Sequence, residues 1–215
     1  MSPLASLSAA LRDFYGQSWR LFLLNGAFSL IVVPILVGGL WAWPVWLLLV
    51  AVGPPAAALM HCAVVVTRTG ELRLADALEG LRLHWRRGLA LTAATVVTLV
   101  LGVHAVDFYA GRSATVLAVV AGYLLLALGA FQLVLWPLAV AERALPLRVV
   151  ARDAFALLLR RPLQALALAL ALLLVNAAGA AAAFAPLLTL TVAYTALAAA
   201  RFALPPDPGG LETNG

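Results

Sequence analysis

The sequence has no lysine, a single cysteine and very little charge: charged residues make up 11% of 215, all fourteen cations are arginine, and nine residues are acidic. Each shortage excludes something. Without lysine there is no Schiff-base nucleophile and no P-loop lysine. With Cys62 alone there is no intrachain disulfide and no cysteine cage for a metal. A soluble domain carries about a quarter of its residues as charges, and a chain that is 65% apolar cannot cover a soluble surface. The class implied is an integral membrane protein. Paired carboxylates, H-E-x-x-H, a Ser-His-Asp order and a Gly-rich phosphate loop are all missing. No enzyme, no cofactor and no metal site is therefore expected.

What is there in quantity is uncharged length. Residues 21–67, 88–106, 113–141 and 162–200 carry no formal charge, and one helical span needs about 20 apolar residues. The first stretch holds two spans, with Trp41-Ala42-Trp43-Pro44 as the turn. The last also holds two, with a turn near Ala185-Pro186. The expected fold is an all-α bundle of about six transmembrane helices, at approximately 21–40, 45–67, 88–106, 114–141, 162–184 and 186–201. These make one domain, 1–203, and the Pro/Gly-rich tail 204–215 is expected to be disordered. The first run has spanning length, so a cleaved signal peptide is not expected.

The arginines fix an orientation. Thirteen of the fourteen fall before span one, between spans two and three, between spans four and five, or after span six; only Arg112 falls on the other side. Short-loop arginine bias marks the cytoplasmic side, so both termini are expected in the cytoplasm and the protein in a bacterial inner (plasma) membrane. Trp19, Trp85 and Trp136 then mark the cytoplasmic boundary, and Trp41, Trp43, Trp46 and Tyr109 the outer one. Arginines placed this way serve topology; no nucleic-acid partner is expected.

The cytoplasmic segments have helical periodicity. Leu74, Leu78, Leu81 and Trp85 share one face of 71–87, opposite Arg73, Asp76, Glu79, Arg86 and Arg87. Leu147, Val150, Ala151, Ala154 and Leu158 form a stripe in 145–161, away from Arg148, Arg152, Asp153 and Arg160. Leu4, Leu7, Leu11 and Tyr15 do the same before the first span. Such helices are expected to lie on anionic lipid, membrane lipids thus being the expected partners, or else to dock on another protein. The layout predicts a threefold repeat of one interfacial helix and two spans. Arg12-Asp13 followed by Arg20 matches Arg152-Asp153 followed by Arg160 in spacing.

Few residues could carry chemistry. Gly53-Pro54-Pro55 lies midway along the second span, where two prolines remove two donors and force a kink or break. Pro34 adds a kink in the first span. Either neighbours satisfy the freed groups, or the break exposes carbonyls to a solute. His104 and Asp107, at i and i+3, share a face near the outer end of the third span. Together they are a proton-relay or metal pair, or a solvated interfacial pair. His61 precedes Cys62 but points about 100° away, so a buried histidine and an inert thiol are expected. Asn25, Gln132 and Asn176 sit deep in spans one, four and five, where interhelical hydrogen bonds are the ordinary role.

Leu24-Asn25, Gly53-Pro54-Pro55-Ala56-Ala57-Ala58-Leu59, Trp136-Pro137 and Asp153 with Arg160-Arg161-Pro162 together resemble the YesL-like family of small bacterial membrane proteins, across roughly residues 10–203. That family more often has an aromatic after the acid of the first cytoplasmic segment, where this chain has Ala77-Leu78 after Asp76. The resemblance implies a link to carbohydrate utilisation, partnership with carbohydrate uptake transporter components and an accessory or permease-like role. It brings no catalytic residues. The leading expectation is an accessory or binding component. The alternatives are a small transporter using the broken second span, and a membrane enzyme acting on lipid through His104 and Asp107.

Overall fold

The computed structural model describes residues 3–181 and 190–204, apart from the side chains of Leu40, Trp43, Pro44 and Ala180. Among these residues every regular element is helical. In chain order they are α1 (Pro3–Gly16), α2 (Ser18–Trp41), a 3₁₀ segment (Trp43–Val52), α3 (Gly53–Thr69), α4 (Leu74–Gly111), α5 (Thr115–Ala141), α6 (Leu147–Arg160), α7 (Pro162–Ala181) and α8 (Val192–Ala203). Among the described residues five stretches are long and apolar enough to cross a membrane: α2, the 3₁₀ segment with α3, α4, α5 and α7. The all-α membrane bundle is thus the observed fold. Of the expected sixth span, 186–201, residues 186–189 lie outside the described residues, and α8 is its described part. At 1.5 Å per residue, the 12 residues of α8 rise about 18 Å, and the turn placed near Ala185-Pro186 lies outside the described residues.

The centre of the bundle is built from α3, α5, α7 and α8, whose Cys62, Val66, Ala130, Val134, Leu168, Leu172, Leu197 and Ala200 are all buried. The outward faces carry exposed Leu30, Leu47, Val100, Leu101, Val116 and Leu124. Lipid tails are as apolar as leucine, so burying leucine between spans gains little there; close backbone approach does the holding. The seam between α3 and α4 shows how. Gly53, Ala57 and His61 follow one another at four-residue steps on α3, and Gly80, His84 and Gly88 do so on α4. A methyl group at Gly53 would stand 2.6 Å from the Gly88 carbonyl carbon and 2.8 Å from Thr92 Oγ1. One at Gly80 would stand 2.7 Å from His61 Cβ.

The turn joining these two helices follows from its residues. Gly70 takes φ +75° beyond α3 and returns its N–H to the Val66 carbonyl at 2.9 Å, a left-handed cap that glycine adopts without strain. Leu72 is fully buried beneath the turn. Asp76 then accepts the Arg73 N–H at 2.8 Å, which satisfies one of the unpaired donors at the start of α4.

Several expectations need correction. The segment 71–87 is not a helix separate from the third span. α4 runs unbroken through both for 38 residues, about 57 Å; no proline interrupts it, and Gly88, a weak helix former, is held by its packing against Gly53. Leu74, Leu78, Leu81 and Trp85 are nevertheless exposed along it, as a lipid-facing stripe requires. The stripe of α6 is different: Val150 and Ala154 are fully buried and Leu147, Ala151 and Leu158 pack on the core. It docks on the bundle, leaving Phe155 and Leu159 exposed. α1 buries Ser6, Ala9, Ala10 and Phe14 and exposes Leu4, Leu11 and Tyr15, while Leu7 packs inward. Leu204, assigned to the tail, is buried with its N–H bonded to the Ala200 carbonyl. Residues 205–215, the rest of the tail, lie outside the described residues.

Candidate functional site

The broken second span is less open than two prolines suggest. The chain changes from 3₁₀ to α winding at Gly53, whose φ −54° and ψ −53° are ordinary helical values. Pro54 and Pro55 stand in the first turn of α3, where the missing N–H would have had no intrahelical partner. Gly53 itself is buried against Gly88 and Thr92 of α4. Pro55 borders a small cavity of about 230 Å³, lined also by Leu24, Ala27, Phe28 and Ile31. Pro34 lies inside α2, which continues through it.

The remaining sequence candidates are scattered. His61 lies on α3, its ring centroid 5.2 Å from that of His84 on α4, tilted by 40°. His84 is almost wholly buried and its Nδ1 has no hydrogen-bond partner. Cys62 is fully buried. His104 and Asp107 are both exposed near the far end of α4, and among the described residues no ion pair joins them. Nor do the described residues bring three His, Cys, Asp or Glu side chains together as a metal site.

Two polar side chains act at helix ends. Leu190 and Thr191 carry π winding ahead of α8. The fully buried Asn25 of α2 accepts the Ala193 N–H at 2.9 Å, a cap supplied by another helix. Arg87 of α4 reaches the C-terminus of α5. Its Nη1 donates to the carbonyls of Ala139 at 2.8 Å and Glu142 at 3.1 Å, and its Nη2 to those of Arg143 at 2.8 Å and Leu145. A guanidinium presents several donors in a rigid fork, and α5 ends in carbonyls that need them.

Among the described residues, a concentration of polar groups inside the apolar spans lies between α4, α5, α7 and α8. There a cavity of about 470 Å³ is bordered by Thr95, Thr98, Gln132, Asn176 and Thr195 among leucines and glycines. Asn176 Nδ2 donates to the Leu172 carbonyl and to Thr195 Oγ1, each at 2.8 Å. Thr195 Oγ1 donates onward to the Thr191 carbonyl at 2.7 Å, and Thr95 Oγ1 to the Leu91 carbonyl at 2.7 Å. Thr98 Oγ1 donates to the carbonyls of Ala94 and, at 3.2 Å, Thr95. Gln132 stands apart: its Oε1 is buried without a partner. It also borders a second cavity of about 190 Å³ beside Trp136 and Met60. The sequence marked Gln132 and Asn176 as polar and deep. Their convergence could not be read there, because α4 and α8 are the elements that complete the site.

Fold and site together define a polytopic membrane helix bundle with an amide-bearing cavity at mid-depth and no charged residue in that cavity's described lining. No protein-family model, curated protein or solved structure matches the chain.

Proposed function

We propose that this chain is a non-catalytic accessory or binding component of a bacterial plasma membrane, linked to carbohydrate uptake and distinct from the path the sugar takes. The link to carbohydrate rests on the resemblance to the YesL-like family. The observation that supports an accessory role over a conduit is the state of the polar groups inside the bundle. A sugar crossing at mid-depth presents several hydroxyls, and each needs a partner away from water. Here the Asn176 amide hydrogens and the hydroxyl hydrogens of Thr95, Thr98 and Thr195 already serve the protein's own backbone or one another. Asn25 is taken up in capping α8, and Gly53 is packed against Gly88. The arginine distribution supports cytoplasmic termini; a reporter inserted at Gly111 is expected to read the outer side.

The test is uptake of a panel of mono- and oligosaccharides into proteoliposomes, with native-membrane co-purification beside it. The expected result is no saturable uptake by the chain alone and recovery of a sugar-uptake component with it. Saturable uptake at matched amounts of folded protein would replace this reading with that of a small transporter.

A further inference from the structure

We infer that the cavity between α4, α5, α7 and α8 is a binding site for a neutral, singly hydroxylated amphiphile drawn from the surrounding lipid. The inference stands on the geometry of the cavity and does not depend on the link to carbohydrate.

The lining defines the ligand's chemistry. Its described residues include no charged side chain, so nothing offsets the cost of bringing an anionic or cationic head group to that depth. Apolar side chains of α4, α5 and α7 make up most of the wall, which suits an alkyl or isoprenoid chain. The volume of about 470 Å³ is that of a small-molecule site. The donor capacity left over is small: the threonine hydroxyl hydrogens and the Asn176 amide hydrogens are engaged, and Gln132 Oε1 is buried without a partner. A carboxamide offers one acceptor and two donors. An alcohol hydroxyl both donates and accepts, so it satisfies Gln132 through the carbonyl or the amide end. A free sugar has too many hydroxyls for this wall, and an alkane leaves Gln132 unpaired.

Access is from the membrane. Leu99 of α4, Gly129 of α5 and Leu173 of α7 border the cavity and are themselves exposed. In a bundle that spans a bilayer, an exposed apolar residue at span depth faces lipid. The ligand enters sideways, chain and hydroxyl together, without crossing the cytoplasmic ends of the helices.

The experiment uses the whole chain in phosphatidylcholine vesicles with two photoactivatable probes, a diazirine-bearing dodecanol and the matching diazirine-bearing dodecane. The dodecanol probe is expected to label residues of α5 and α7 around Gln132 and Leu173 and to be displaced by plain dodecanol. Gln132→Leu is expected to lower that capture about tenfold, the cost of one hydrogen bond to a buried partner, while leaving dodecane capture unchanged. Leu173→Trp, which narrows the mouth from an exposed position, is expected to lower capture of both probes and serves if Gln132→Leu fails to fold. Equal capture of the two probes by the unmodified protein overturns the proposal, because the cavity would then be a furrow filled by any lipid tail. Labelling away from α5 and α7, or full capture by Gln132→Leu, overturns it as well.

Discussion

Replacing Arg87 should loosen the C-terminal end of α5 more than its partial exposure suggests. The side chain serves four carbonyls, those of Ala139, Glu142, Arg143 and Leu145. Hydrogen bonds to a charged group contribute about 1.5–3 kcal/mol each when shielded. Water can replace some of them here, so the loss in Arg87→Ala is placed at roughly 2–4 kcal/mol in total. At about 2–4 °C per kcal/mol for a chain of this size, the melting midpoint falls by roughly 5–15 °C. The reporter is built in: Cys62 is the only cysteine and is fully buried. A fluorogenic maleimide in detergent micelles therefore reacts as α3 comes out of the core. Arg87→Lys retains the charge at the negative end of the α5 dipole but loses the fork, so it should recover less than half of the loss. An Arg87→Ala midpoint within about 1 °C of the parent, or an Arg87→Lys protein as stable as the parent, would refute this account.

The same melting assay checks the packing, capping and ion-pair readings. Gly53→Ala places a methyl group against the Gly88 backbone and Thr92 and should cost about 1–3 kcal/mol by overpacking. Gly111→Ala, which meets nothing within 4 Å, and the double change of Pro54 and Pro55 to Ala in the first turn of α3 should cost less than about 1 kcal/mol. Asn25→Leu leaves the Ala193 N–H without its acceptor and should cost about 1–3 kcal/mol, whereas a neutral or stabilising result would mean that another group caps α8. Asp13→Asn should weaken the half-buried 2.7 Å contact with Arg201 and lower stability by about 1–3 kcal/mol. Asp153→Asn, whose only ion pair is an exposed one with Arg152 at 3.6 Å, should change stability by less than about 0.5 kcal/mol.

The spans were legible because membrane insertion is written in local composition. Residues 21–40 and 114–141 return as α2 and α5 within a few positions, and the turn at Ala42 stands where Trp41-Ala42-Trp43-Pro44 placed it. What was not legible is what depends on pairing. Arg87 counts along the chain only as one more cytoplasmic charge, and its four partners lie 52 to 58 residues away. Asn25 meets Ala193 across 168 residues. Gly53 and Gly88 were read for their own helices, one as a break and one as the start of a span, although their shared property is the contact between them. The amphipathic stripes show the limit most clearly. Periodicity identifies an apolar face, but whether that face stays exposed, as on the first turns of α4, or packs on the bundle, as on α6, depends on the neighbouring helices.

The proposed threefold repeat separates in the same way into a part that is structural and a part that is not. α1 with α2 and α6 with α7 share one layout: a helix of 14 residues, one linking residue, then a span. α4 has no such break, so the layout recurs in two of the three units. The matched charges do not follow it. Asp13 stands four residues before its linker Gln17, whereas Asp153 stands eight before Arg161, about one helical turn out of step. Their partners differ as well: Asp13 reaches across to Arg201 on α8, while Asp153 meets only the adjacent Arg152. Identical spacing in sequence thus maps onto different levels along the helix and onto different partners. The helix-and-span layout, not the acidic residue, is the feature to carry into any comparison of the two halves.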